Sequence, residues 1–119
     1  FGLKNSKSGT SIKGIEELSE LPNLMTLTLC YAKKSDISAI VECKNLTSLS
    51  LVCSDESIDA AELLKLEKLE SLYIPSSSLE NAEKLLELKE LKYVTFSENK
   101  VDRTLINSLE RNNVIVKLM

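Results

Sequence analysis

Apolar residues recur along this chain in two rhythms. The first is Leu-x-x-Leu-x-Leu, at Leu24, Leu27 and Leu29 and again at Leu46, Leu49 and Leu51. Leu69, Leu72 and Ile74 repeat it, as do Leu91, Val94 and Phe96. Alternation within each copy predicts a short strand that buries every second residue. Between copies the apolar spacing lengthens to three, at Ile37, Ile40 and Cys43 and at Leu79, Ala82, Leu85 and Leu88. That spacing favours 3₁₀ or loose helical turns over an ideal α-helix. Two return segments read differently. Val101, Leu105 and Leu109 are four apart behind Asp102, a good N-cap residue, and predict an α-helix. The segment 57–68 contains Asp-Ala-Ala-Glu-Leu-Leu and predicts another.

The strand copies start 22, 23 and 22 residues apart, and Val116 and Leu118 lie a further 22 beyond Val94 and Phe96. This divides the chain into a partial N-terminal unit (1–23), four repeats (24–45, 46–68, 69–90 and 91–112) and a terminal strand (113–119). Residues 1–11 fit the pattern poorly. Phe1 and Leu3 alternate like the tail of an earlier strand, and 4–11 reads as a loop rich in Ser, Gly and Lys. Ser11 is positioned to cap a helical turn carrying Ile12, Ile15, Leu18 and Leu21, which Pro22 ends. One strand and one return bury too little surface to stand alone. The copies must therefore stack around a continuous core, giving one domain.

With four consecutive in-phase copies, residues 12–119, almost the whole chain, resemble the leucine-rich repeat. The period and the spacing of three are similar to the short-repeat subclass of phosphatase-regulatory proteins and bacterial internalins. The resemblance implies an α/β fold: a right-handed solenoid with a parallel β-sheet on its concave side and mixed 3₁₀ and α-helical returns on its convex side. It further implies a non-catalytic module that binds a protein partner through the concave face. A structural spacer or capping fragment of a longer repeat protein, and a bacterial surface adhesin or effector, are the alternatives. There is one departure. The family usually places asparagine three residues after the last strand leucine, and here Ala32, Ser54, Ser77 and Asn99 stand there.

Transferred by that pattern, the outward positions are Met25, Thr26, Thr28, Cys30 and Tyr31, then Thr47, Ser48, Ser50, Val52 and Cys53. Glu70, Ser71, Tyr73, Pro75 and Ser76 follow, then Lys92, Tyr93, Thr95, Ser97 and Glu98, and Ile115, Lys117 and Met119 complete the face. From these the candidate protein-binding residues are Thr26, Thr28, Tyr31, Ser48, Ser50, Ser71, Tyr73, Tyr93, Thr95 and Lys117. All three tyrosines of the chain fall on this face. Tyrosine brings a large area and a polar tip to interfaces, though it also suits any strand. Few charges fall there, as at an interface core, yet Ser and Thr columns equally suit a solvated sheet. Five strands about 4.8 Å apart, each exposing roughly five residues of about 3.3 Å rise, project only about 400 Å².

Composition narrows the chemistry. The formal charge is −3 over 119 residues, with acids and bases interspersed, which gives no footprint for nucleic acid or an anionic membrane. No apolar run reaches the roughly 18 residues of a membrane span. There is no histidine and no glycine-rich phosphate loop, so neither an enzyme nor a bound cofactor or metal is expected. Three cysteines without metal-ligand spacing fit reduced thiols and a cytoplasmic location. A signal peptide on a longer chain would instead make the protein extracellular. The last six residues, Val114 to Met119, read as an uncovered edge strand. Such an edge invites a homodimer or cover by a further segment.

Overall fold

The computed structural model describes residues 2–4, 15–21, 23–30, 33–52, 57–75, 78–97 and 101–119. Six strands form one parallel sheet: β1 (Gly2–Lys4), β2 (Thr26–Cys30), β3 (Ser48–Val52), β5 (Ser71–Ile74), β7 (Tyr93–Phe96) and β8 (Ile115–Leu118). They lie in chain order, each beside the next. A second ladder of two short strands joins β4 (Ile58–Asp59) to β6 (Leu79–Glu80) within the returns. Leu3 does lie in a strand beside β2, as expected for the tail of an earlier copy, but that strand also takes in Lys4, which was read as the start of a loop; Phe1 lies outside the described residues.

The register reproduces the period of the sequence. Leu27 pairs with Leu49, Leu49 with Leu72, Leu72 with Val94, and Val94 with Val116. Since side chains alternate across a strand, in-phase copies stack like residues in columns. Leu27, Leu29, Leu49, Leu51, Leu72, Ile74, Val94 and Phe96 all point into the core and are buried. Ile40, Leu46, Leu63, Leu66, Leu69, Leu85 and Leu91 meet them from the returns.

The spacing of three has a backbone cause. Successive turns donate from residue i to the carbonyl at i−3: Cys43 to Ile40 and Leu46 to Cys43, at 2.9 and 3.1 Å. Leu66 to Leu63 and Leu69 to Leu66 repeat this, then Leu88 to Leu85 and Leu91 to Leu88. Leu21 to Leu18 and Leu24 to Leu21 form an earlier copy. Three-residue turns eclipse side chains at i and i+3, so the three later copies each present three apolar residues to the core, whereas Leu21 of the earlier copy is exposed. One further device recurs where each strand begins. The Met25 carbonyl accepts from the N–H groups of both Thr47 and Ser48, Thr47 from Glu70 and Ser71, and Glu70 from Lys92 and Tyr93.

The returns depart from expectation at two places. Residues predicted as loose 3₁₀ turns at Ile37 and Ile40 form α1 (Lys34–Ile40), a true α-helix. Asp36 explains part of this, because its carboxylate accepts the Lys33 N–H at 2.8 Å at the helix start. Val41 explains the rest. With Ile37 and Ile40 it completes an i, i+3, i+4 stripe, and all three are buried. Conversely, the helix predicted within 57–68 is only α2 (Ala60–Leu63). Asp59 caps it through the Ala61 N–H at 3.0 Å, and the three-residue turns resume at Leu66. The third return is the 3₁₀ helix that its spacing predicts, Ala82–Glu87. The fourth is α3 (Arg103–Arg111), with Asp102 capping through the Thr104 N–H at 3.2 Å. A 3₁₀ helix also occupies Ile15–Glu20. The positions Ala32, Ser54, Ser77 and Asn99, where the asparagine column was sought, lie outside the described residues, as do Ser11 and Pro22.

Candidate binding face

Opposite the leucine columns, the same alternation turns every other strand residue outward. Two columns result. Thr26, Ser48, Ser71, Tyr93 and Ile115 align in one, and Thr28, Ser50, Tyr73, Thr95 and Lys117 in the other. Nine of the ten candidate residues therefore share one side of the sheet. The tenth, Tyr31, lies outside the described residues, as do Cys53, Ser76 and Glu98. Thr26, Tyr93 and Lys117 are exposed, while Thr28, Ser48, Ser50, Ser71, Tyr73 and Thr95 are half-buried.

The columns change character along the sheet. Over β2 and β3 they carry small hydroxyls. Over β5, β7 and β8 they carry Tyr73, Tyr93, Ile115 and, just past β8, Met119. Tyr93 is 52% exposed, Ile115 62% and Met119 58%. Tyr73 spans two strands, and its hydroxyl donates to the Met119 sulfur at 3.4 Å. This contact holds the thioether over the outward surface. Met25, 54% exposed, adds an apolar side chain ahead of β2. Met25, Ile115 and Met119 were absent from the ten candidates, although their positions were read as outward. Apolar character alone is an ambiguous signal, equally at home in a core.

Charge on the face is sparse and partly neutralised. The Lys92 ammonium meets the Glu70 carboxylate at 3.2 Å, one unit apart, with both side chains largely in solvent. Lys117 is exposed on β8 between Ile115 and Met119. The returns are held together by other polar links between neighbouring units. Lys68 donates to the Asn45 side-chain oxygen at 2.8 Å, and Asn81, in the left-handed region at φ 54°, donates to Asp59 at 3.0 Å. These contacts bind unit to unit away from the face.

The thiols divide between the two sides. Cys30 and Cys43 are both free; Cys30 is half-exposed on the face and Cys43 is buried in the first return. Burial, with the neighbouring Glu42 carboxylate, raises the Cys43 pKa above its ordinary 9.0 and keeps it a neutral thiol. Among the described residues, no three His, Cys, Asp or Glu side chains gather into a metal-binding group, and no helix is long and apolar enough to cross a membrane. The arrangement offers a preformed surface of aromatic, aliphatic and hydroxyl groups whose chemistry suits contact. Neither a family model nor a curated protein matches this sequence.

Proposed function

We infer that this chain is a leucine-rich-repeat solenoid serving as a non-catalytic protein-binding module, with the outward side of its six-stranded sheet as the binding surface. Three features support the repeat reading: the 22- to 23-residue register, the buried leucine columns and the recurring three-residue turns. The binding reading is carried by one observation. Tyr93, Ile115 and Met119, all more than half exposed, cluster with Tyr73 on a charge-poor side of the sheet. Aromatic anchors at a charge-depleted centre are where interfaces concentrate their energy. Their strands are already paired in the parallel sheet, which lowers the backbone ordering that binding requires. The face is small against the roughly 800 Å² that each partner buries in a standard interface. The partner therefore grips a few anchors or extends onto the neighbouring loops.

The test is affinity capture from a native extract with the wild-type chain and the Tyr73→Ala/Tyr93→Ala variant side by side. A partner retained by the first and lost by the second, at nearly equal melting temperatures, is the expected result. A large fall in melting temperature would place the rings in the core and defeat the assignment.

A further inference from the structure

Resting on the reading of the sheet as a binding face, we propose that its β8 end recognises a short extended peptide in which an acidic residue stands between two aliphatic ones at alternate positions. Ile115, Lys117 and Met119 form a row, exposed at every position. Alternate residues of a strand are about 6.6 Å apart, the same interval that separates same-side residues of an extended peptide laid along it. An apolar–cation–apolar row thus matches an aliphatic–acid–aliphatic ligand residue for residue.

The electrostatics favour that sign. Among the described residues of the face, Glu70 and Lys92 neutralise one another at 3.2 Å, which leaves Lys117 as the charge within the row. The chain's net charge of −3 is spread over its surface, and charges beyond about 8 Å are largely screened at physiological salt. Tyr73 and Tyr93 flank the row on its inner side, and the Tyr73 hydroxyl donates to the Met119 sulfur at 3.4 Å. Size selects a peptide over a folded partner or a second copy. From β5 to β8 and from Ile115 to Met119 the patch projects only about 240 Å², enough for roughly five extended residues and far below what a stable dimer buries.

Panning a displayed library of random dodecapeptides against the whole chain and against Lys117→Glu tests this. The wild-type chain should enrich peptides with Asp or Glu flanked by aliphatic residues two positions away. Lys117→Glu should retain those peptides about fivefold less well and enrich Lys or Arg at the same place. Identical selections by both chains, or no acidic enrichment, overturn the acidic preference. Tyr93→Ala separates that failure from a wider one. If it weakens retention while Lys117→Glu does not alter the selected sequences, the face binds peptides of another chemistry and only this proposal falls. If Tyr93→Ala changes nothing, the binding face itself is misplaced. Self-association in sedimentation that Tyr93→Ala abolishes would mean that a second copy covers the patch, and would also overturn the proposal.

Discussion

The middle of the sheet and its β8 end share one register and differ on both surfaces. Around β3, the inward residues Leu49 and Leu51 are fully buried and the outward ones are Ser48, Ser50 and Val52. At β8, the inward Val116 and Leu118 are only half-buried, whereas outward Ile115 and Met119 stand well into solvent. The returns differ in the same way. Ile40, Cys43 and Leu46 climb by three-residue turns, as do Leu63, Leu66 and Leu69, and all six are buried. One period after Leu85, Leu88 and Leu91 come Asn107, Glu110 and Asn113, all exposed. With no apolar triplet to present, the last return becomes the helix α3. It closes with Asn113 at φ 65°, whose N–H reaches Glu110 while that of Val114 reaches Leu109, the Schellman arrangement. The bond to Leu109 occupies the Val114 N–H. In the earlier units the equivalent N–H joins its neighbour on the preceding unit's carbonyl, and here Lys92 receives Ile115 at 2.8 Å. A constant register therefore tolerates two kinds of return, chosen by whether the positions three apart are apolar.

The largest test of that contrast is a pair of truncations. Leu49→Ala removes a side chain with no exposed surface and should cost about 2–5 kcal/mol in denaturant unfolding. Val116→Ala, at the same register position two strands beyond Leu72, should cost less than half as much, because its site is already half open. Equal losses would mean that the end of the sheet is as tightly packed as its middle. Next come the caps. Asp102→Ala, which removes the bond to the Thr104 N–H, should cost about 1 kcal/mol, and Asp59→Ala somewhat more because Asn81 also loses its acceptor. Smaller still is the turn that ends α3. Asn113→Gly should be neutral or stabilise by a few tenths of a kcal/mol, whereas Asn113→Ala should destabilise by about 1 kcal/mol, since a Cβ is costly at positive φ.

Much of this was legible in the chain itself. Alternation located the four strands from β2 to β7 that lie in the main sheet, and the 22-residue interval carried the reading on to β8. Asp102 marked the start of α3. The errors came where two signals overlapped. Ile37 and Ile40 suggested three-residue turns until Val41 and the Asp36 cap tipped the segment into α1. The small β4–β6 ladder was illegible, because two-residue strands carry no period to detect. The face was legible as a set of positions, but its grading was not. Alternation gives direction, and only the packing of neighbours reveals that Ile115 and Met119 protrude while Tyr73 lies half-covered against Met119.

The thiols give the smallest and most specific contrast. Cys30 on the face should react with a thiol reagent in the folded protein, and Cys43 only on unfolding. The folded-state pKa of Cys43 is raised, so its contribution is fully present below about 9.0 and is lost as pH rises through the higher folded value. Cys43→Ala should remove that part of the alkaline loss of stability.

On the proposed binding reading, contact energy resides at the aromatic end of the face, around Tyr73 and Tyr93, and not over the hydroxyl columns. Titration of a captured partner against two double variants tests it directly. Tyr73→Ala/Tyr93→Ala should weaken affinity at least about tenfold, while Thr28→Ala/Ser50→Ala should change it less than about threefold, with both melting temperatures close to wild type. Equal weakening by the two variants, or unchanged affinity in the tyrosine variant, would mean that the tyrosines are not the anchors.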